Sequence, residues 1–308
     1  MSKPIDYSKW DQFADSDDDY DEENYPSFED EHPQASVPIE VEPPSASDPD
    51  YLGEIESFVC GLEVDNRDAL EWNNLGIAME PNTTVRVNGR EFTPQECFIQ
   101  ALRLDDTLAG AWCNLGDTVI PGTTVCVAGQ AFTEQQCYVQ AVELDDSFAT
   151  VWSNLGTTIA DGESVQVQGR PVTSLECFAR AATLNPSCAT SWDNLGLSVA
   201  IGKTVRIQDR ELNKMQCFLV GVQCAQCPGY VWNNLGVTIV RGTKVRVGDR
   251  EFTKQECFIR ALEINGGDAA AWENLASNTA PGTTVRVGGR DYTSEQCTLM
   301  ALSLRTGL

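Results

Sequence analysis

Apolar positions recur along most of the chain with a fixed period of 40 residues. Each copy contains a tryptophan followed by x-Asn-Leu, and further along a cysteine. The tryptophans are Trp72, Trp112, Trp152, Trp192, Trp232 and Trp272. The cysteines are Cys97, Cys137, Cys177, Cys217, Cys257 and Cys297. A fixed period of this length is typical of a solenoid, in which each unit stacks on its neighbours.

Each copy contains two helical patterns. In the first copy, a helix is predicted over Ala69–Met79, because the apolar residues fall at the i, i+3, i+4 and i+7 positions. These residues are Trp72, Leu75, Gly76 and Met79. A second apolar face predicts a helix over Glu96–Leu104. Residues Glu54–Asp65 match this second pattern one period earlier, which predicts a leading half-repeat that covers the apolar end of the stack.

A β-hairpin is predicted between the two helices. Apolar and polar residues alternate on both sides of Asn88-Gly89, which is a strong turn signal. The predicted register pairs Val87 with Arg90, Arg86 with Glu91, and Val85 with Phe92. The middle pair keeps or loses its charges together in the other copies, as cross-strand neighbours require. Those pairs are Arg206 with Glu211, Arg246 with Glu251, Arg286 with Asp291, Cys126 with Ala131 and Gln166 with Pro171.

The start of the second helix is marked in every copy by a capping box, the first being Thr93-x-x-Glu96. Starts of the first helix are marked less clearly, with Asp68 and Asp268 as candidates. A hairpin is about 9.6 Å wide, and packed helices lie about 8–10 Å apart. From this match we also predict that successive hairpins pair edge to edge into one continuous ribbon.

The helical positions resemble those of the tetratricopeptide repeat, W-x2-L-G-x2-Y…A-x3-F…P. The matching residues of the first copy are Trp72, Leu75, Gly76, Met79, Phe98 and Ala101. The resemblance covers residues 54–308, with two departures: the helix-ending proline remains only at Pro186, and six extra residues hold the hairpin. It implies a mainly α fold, an α-solenoid of six 40-residue repeats plus the half-repeat, with a β-hairpin inserted in each repeat.

The same resemblance implies a concave groove lined by the first helices, where the family binds a protein or peptide. Chaperone-binding members hold acidic peptides with lysines and asparagines. Here the asparagine position is filled six times, but no lysine accompanies it, so that clamp is absent. The asparagines either contact a partner or bond to neighbouring backbone. The groove candidates are Asn73, Asn74, Asn114, Asn154, Asn194, Tyr230, Asn234 and Asn274. A small, partly apolar groove favours an apolar peptide.

The beginning of the chain has a different composition. The first 50 residues contain 16 Asp and Glu against two lysines, and seven of the 14 prolines. High net charge without apolar periodicity predicts an acidic disordered tail over residues 1–52, followed by the solenoid over residues 53–308.

Residues 6–19 of this tail resemble the N-terminus of the kinase-dedicated heat-shock co-chaperone family. The resemblance rests on Tyr7, Trp10, Asp11 and the spacing from Tyr7 to Ser16-Asp17-Asp18. It implies a docking motif at Tyr7, Trp10 and Asp11, phosphorylation of Ser16, and a heat-shock chaperone machine as a partner.

A catalytic role is not predicted. The single histidine, His32, lies in the tail, so the repeats lack the residue that the commonest acid–base and triad chemistry uses. The six periodic cysteines are expected to be reduced core residues, because packed helices are too far apart for disulfides. Cys224-x-x-Cys227 is a single pair at a core position, a weak zinc signal. No metal and no cofactor are predicted.

Other partners follow from charge. Five arginines lack predicted cross-strand acids and are expected to receive an acidic ligand, including this chain's own tail. This basic hairpin edge comprises Arg90, Arg170, Arg210, Arg250 and Arg290. A net charge of −11 over residues 51–308 disfavours nucleic acid, and no long apolar run predicts a membrane span.

The predicted function is a non-catalytic cytoplasmic scaffold that binds a protein or peptide. The alternative is a structural component of a large assembly, in which the solenoid associates with itself through its last helix.

Overall fold

The structure is a computed structural model that describes residues 49–307, with side chains from residue 53. The described chain divides into two compact units. The first unit ends at Cys177 and the second begins at Phe178. Tyr7, Trp10, Asp11, Ser16 and His32 lie outside the described residues.

Thirteen helices are present in the described residues. Six carry the repeated tryptophan and are called Trp helices: α2 Ala69–Ala78, α4 Ala109–Thr118, α6 Ala149–Thr157, α8 Ala189–Ser198, α10 Gly229–Thr238 and α12 Ala269–Ser277. Six carry the repeated cysteine and are called Cys helices: α3 Pro94–Leu104, α5 Glu134–Leu144, α7 Ser174–Leu184, α9 Lys214–Gly221, α11 Lys254–Ile264 and α13 Ser294–Thr306. They are preceded by α1, Pro49–Val64, which covers the predicted leading half-repeat except for Asp65.

A two-stranded antiparallel hairpin separates each Trp helix from its Cys helix. The strands of the first unit are β1 Val85–Val87, β2 Arg90–Phe92, β3 Val125–Val127, β4 Gln130–Phe132, β5 Val165–Val167 and β6 Arg170–Val172. Those of the second unit are β7 Thr204–Ile207, β8 Arg210–Asn213, β9 Lys244–Val247, β10 Arg250–Thr253, β11 Thr284–Val287 and β12 Arg290–Thr293. The predicted fold class, mainly α with repeated hairpins, is confirmed. Within each unit consecutive helices pack on one another, as in an α-solenoid.

The hairpin register is the predicted one. Arg86 lies opposite Glu91, and Val85 opposite Phe92. The copies in which both charges are absent agree, with Cys126 opposite Ala131 and Gln166 opposite Pro171. The predicted continuous ribbon is wrong, because the strands of the described chain form six separate two-stranded sheets. Similar widths therefore do not bring the edges of neighbouring hairpins into register.

Four of the six hairpins are held against their own Trp helix by an aromatic pair. The ring centroids of Trp72 and Phe92 lie 4.7 Å apart, and those of Trp272 and Tyr292 lie 4.9 Å apart. The first strand adds a buried valine, such as Val87, on the face that meets the helices. The side chain of Asn88 in the first turn also donates to the carbonyl of Leu62 in α1 at 3.2 Å. Hairpin and helices therefore share one core.

The predicted capping boxes are present. At α5, for example, Thr133 Oγ1 accepts from the Gln136 amide, while the Gln136 side chain accepts from the Thr133 amide. Asp68 and Asp268 cap α2 and α12, as expected. Other Trp helices begin without a side-chain cap; α4, for instance, follows Leu108. Burial of the apolar face and the tryptophan contacts, rather than caps, therefore define these helix starts.

Candidate partner-binding surface

The repeated tryptophan fixes one side of each Trp helix. In five of the six copies the indole Nε1 donates to a backbone carbonyl six residues earlier, in the turn before the helix, at 2.8–2.9 Å. The accepting residues are Asn66, Asp106, Asp146, Pro186 and Gly266. Since the ring also packs on the hairpin, this side of the helix is committed to the interior.

A glycine fixes the side that faces the Cys helix. A Cβ atom at Gly236 would lie 2.6 Å from Cε1 of Phe258, and one at Gly76 equally close to Phe98. The last repeat shows the reciprocal change: Ala276 stands at the glycine position and Thr298 at the aromatic position. The small residue is therefore needed to admit the ring.

The predicted groove asparagines are mostly interior. Asn154, Asn194, Asn234 and Asn274 are at most 1% exposed. In the second unit the amide nitrogen of Asn274 donates to Oδ1 of Asn233 at 2.9 Å, and that of Asn234 to Asp193 at 3.0 Å. These partners are side chains of the preceding Trp helix, not backbone. The asparagines therefore tie neighbouring repeats together, and these four do not present their amides to a partner.

These contacts between asparagines and side chains of the preceding Trp helix are called the asparagine ladder. The ladder continues in the first unit, where it is more open to solvent. Asn114 donates to Asn73 at 3.0 Å, whereas Asn154 donates to Asp117 at 3.1 Å. The position after Trp112 is Cys113, which offers no oxygen, so the carboxylate of Asp117 replaces it. Asp117 also accepts from the hydroxyl of Tyr138 at 2.6 Å. Asn73 is buried and Asn114 half-buried, while Asn74 is exposed.

An apolar strip surrounds Asn74 on α2. Leu70 is 58% exposed and Ile77 is 48% exposed. Leu70, Asn74 and Ile77 follow one another at i, i+4 and i+7, so they share one face of the helix. This set is called the α2 strip. Sequence reasoning missed Leu70 and Ile77; the available signal was that both are apolar but lie off the Trp72–Leu75–Gly76–Met79 face.

Tyr230, the predicted groove anchor, is half-buried at the start of α10. Its hydroxyl is 2.7 Å from Oγ1 of Thr190 on α8, and burial raises its pKa to about 12. The ring is therefore held by its own unit, with only part of its surface open to solvent.

One carboxyl group is completely buried in the second unit. Asp193 accepts from the Asn234 amide nitrogen through both oxygens, at 3.0 and 3.1 Å. Burial raises the pKa of Asp193 to about 7, against the opposing effects of Asn234 and Lys214. The Lys214 ammonium donates to the Leu197 carbonyl at 2.9 Å. Asp193 is therefore a titratable structural group enclosed by neighbouring helices.

The arginines of the basic hairpin edge lie in different surroundings. Arg90 and Arg250 face valines across the hairpin, so they lack cross-strand acids as predicted, but each contacts a glutamate of the following helix. Arg250 lies 3.3 Å from Glu256 and Arg90 lies 3.7 Å from Glu96, each the glutamate of a capping box. Both guanidinium groups also cover an aromatic ring of their own hairpin. Arg170 and Arg290 are exposed, and Arg210 is half-buried and has a partner.

The cysteines are chemically quiet. All those in the described residues are free, and the six periodic ones are buried. Burial raises the pKa of the Cys97, Cys137 and Cys177 thiols to about 12, so they stay protonated. Cys224 and Cys227 also have pKa values raised to about 12 by burial. No group of three or more potential metal-binding side chains was found in the described residues.

The fold and these contacts define a class of repeat protein, a helical solenoid with a hairpin in each repeat. The chain matches no protein-family profile and has no significant match among curated proteins. None of the helices within residues 49–307 is long and apolar enough to cross a bilayer.

Proposed function

We propose that this protein is a non-catalytic, tetratricopeptide-like scaffold that binds a protein partner through the α2 strip. The single observation that carries the proposal is the exposure of Leu70 and Ile77 beside Asn74 on one helix face. Apolar side chains that remain exposed together commonly mark a protein interface. The strip stands on a helix held by the Trp72 contacts, so it is pre-organised for binding.

The chemistry of the strip favours an apolar partner. Leu70 and Ile77 are about two helical turns apart, with Asn74 between them. This is the i, i+4, i+7 spacing by which helices recognise one another. Asn74 supplies a donor and an acceptor between them. By contrast, Asp193 and Cys97, whose pKa values are strongly raised by burial, lie inside the helix packing. This supports a binding role rather than a catalytic one, and a reducing cytoplasmic location belongs to the same proposal.

The test compares two double variants of the full chain. Leu70→Ser with Ile77→Ser removes the strip, whereas Leu104→Ser with Ile120→Ser removes two other exposed aliphatic side chains from the first unit. Partner proteins captured from cytosol by the wild type should be lost only with the strip variant, with unchanged circular dichroism. Equal capture by both variants would refute the proposal.

For the tail we propose docking to a heat-shock chaperone, supported by the resemblance around Tyr7, Trp10, Asp11 and Ser16. Binding to the purified chaperone is measured by titration calorimetry for the full chain and for a chain lacking residues 1–48. Equal affinity of the two forms would exclude the tail. Ser16→Ala, compared with the chain phosphorylated at Ser16, then measures whether phosphate contributes.

A second candidate function is self-association through α13. Leu302 is 49% exposed, although the residues at the same position of the other Cys helices are buried. These residues are Leu102, Val142, Ala182, Val222 and Leu262. This unmatched apolar face favours an assembly role, which light scattering on the purified chain tests directly.

A further inference from the structure

Charge is distributed unevenly along the chain. Residues 51–177 contain 5 Lys and Arg against 19 Asp and Glu, a net of −14. Residues 178–308 contain 14 against 11, a net of +3. The first 50 residues contain 2 against 16, which is again −14. The second unit is therefore the one part of the sequence with a positive net charge.

The positive charge of the second unit is concentrated on its hairpins. The hairpins and their adjoining loops hold nine basic residues and five acidic residues. The basic residues are Lys203, Arg206, Arg210, Arg241, Lys244, Arg246, Arg250, Arg286 and Arg290, and all but the half-buried Arg210 are exposed. A surface of this kind attracts an acidic ligand.

Three of these arginines occupy the same hairpin position in successive repeats. Arg206, Arg246 and Arg286 are called the arginine row. Each donates to a carbonyl of its own turn, at 3.2–3.3 Å, and the acceptors belong to Gln208, Gly248 and Gly289. A carbonyl oxygen is a neutral acceptor, so it orients the guanidinium group without cancelling its charge. A guanidinium has five N–H donors, which leaves several for a carboxylate.

Two of the three cross-strand acids contact other residues. Glu211, opposite Arg206, accepts from the hydroxyl of Thr204 at 2.8 Å. Glu251, opposite Arg246, lies 3.4 Å from the ammonium group of Lys244. The carboxylates of these two glutamates therefore contact the first residues of β7 and β9, Thr204 and Lys244.

The spacing of the row suits an extended acidic segment. The Trp helices α8, α10 and α12 contact one another in sequence, and packed helices lie about 8–10 Å apart. An extended chain advances about 3.3 Å per residue, so about three residues match one interval. The stretch Asp17–Glu23 contains six acidic residues in seven, which is long enough for the two intervals of the row.

We propose that Asp17–Glu23 of this chain binds the arginine row of the second unit. The segment lies outside the described residues, and the assignment rests on the charge and spacing of the row. It is independent of the α2 strip, which belongs to the first unit. Because Ser16 directly precedes the segment, its phosphorylation would add up to about two negative charges and strengthen the contact.

The test uses amide NMR spectra of the full chain at low salt, compared with a synthetic peptide of residues 1–48. Resonances of Asp17–Glu23 should differ from those of the peptide. Changing Arg206, Arg246 and Arg286 together to glutamine should return them to the peptide positions. A matched control changes three exposed arginines of the first unit, Arg67, Arg86 and Arg103, to glutamine, and it should leave them displaced.

Further measurements make the result decisive. Raising the salt concentration shortens the Debye length from about 10 Å at 0.1 M to about 3 Å at 1 M, so the wild-type shifts should collapse. Reciprocally, Asp17→Asn, Asp18→Asn and Asp19→Asn together should move the amide signals of the arginine row. Circular dichroism checks that each variant folds. Wild-type tail resonances that coincide with the peptide at low salt, or that respond equally to both arginine triplets, would overturn the proposal.

Discussion

Equivalent positions in successive repeats carry different residues that make the same kind of contact. Asn233 and Asn274 form an amide–amide contact, whereas one repeat earlier Asp193 occupies the place of Asn233 and Asn234 that of Asn274. The substitution brings a carboxyl group into a site with no solvent, which raises its pKa to about 7. The repeat that contains Asn233 therefore shows that a neutral asparagine also fits the position of Asp193.

Asp193→Asn is predicted to change how stability depends on pH. The pKa of Asp193 is about 7 in the folded state against an ordinary value of 3.8, so the folded state retains a proton that the unfolded chain releases. Stability should fall as pH rises from about 4 to about 7, by of order 1 kcal/mol per pH unit, and then level off. The variant should lose this slope.

Urea unfolding over this pH range measures the effect. Asp249→Asn, an exposed acid in a hairpin turn of the same unit, serves as the control and should retain the wild-type slope. A wild-type slope unchanged in Asp193→Asn would show that this carboxyl group is ionised in the folded protein.

The glycine of the Trp helix gives a second prediction at this scale. Gly236→Ala should destabilise the protein by about 1–3 kcal/mol, because the new Cβ meets the ring of Phe258. Gly110→Ala is the control, since a Cβ there meets nothing within 4 Å. It should be neutral or slightly stabilising. Thermal unfolding of both variants provides the comparison, and equal losses would contradict the steric explanation.

At the scale of elements, the hairpins are the distinctive addition to the helical pair. Their register could be predicted from sequence because Arg86/Glu91 and its counterparts change together. Their separation into six sheets could not be predicted from the sequence. The hairpin edges are alike in every repeat, so the sequence would look the same whether or not neighbouring hairpins paired. The capping boxes were predictable from Thr93 and Glu96. The same glutamate's contact with Arg90, which Arg250 and Glu256 repeat, crosses from strand to helix and does not follow from the hairpin register.

The candidate surface was harder to predict than the fold. Six asparagines at one position of the repeat indicated a shared role. Whether their side chains contact a partner or the next repeat depends on how closely neighbouring Trp helices approach each other. The approach is close enough for Asn274 to reach Asn233. Only on α2 does the exposed Asn74 remain beside Leu70 and Ile77, a difference that the repeated pattern alone conceals.

Phe252→Ala is predicted to release the fifth hairpin from its Trp helix. The ring packs 4.9 Å from Trp232 and is buried, so its loss should cost about 3–5 kcal/mol. Phe252→Leu should cost less, because the fourth repeat carries Leu212 at this position. Hydrogen exchange of β9 and β10 and the urea midpoint measure the loss, and an unaffected hairpin would contradict the anchoring role.

At the scale of the whole molecule, some exposed surfaces are charged and others are apolar. The exposed face of α13 is apolar. Leu299 and Leu302 are 64% and 49% exposed, and an apolar face of this kind is buried when two molecules associate.

Leu299→Ser with Leu302→Ser is therefore predicted to shift any dimer toward the monomer. The control, Leu104→Ser with Leu144→Ser, alters two other exposed leucines on Cys helices and should leave the molecular mass unchanged. Light scattering coupled to size-exclusion chromatography measures both. A wild-type mass of about 34 kDa, as for a single chain, would remove self-association from consideration.

The asparagine ladder also bears on how the chain reaches its native state. The three contacts from Asn114, Asn234 and Asn274 to Asn73, Asp193 and Asn233 each join residues 41 positions apart. The contact between Asn154 and Asp117 spans 37 positions. Loop-closure entropy grows only slowly with length, so all four contacts close loops at nearly the same cost. Folding can begin at more than one repeat and propagate to neighbouring repeats. The contacts that hold the folded repeats together can therefore also form early, because each one closes only a short loop.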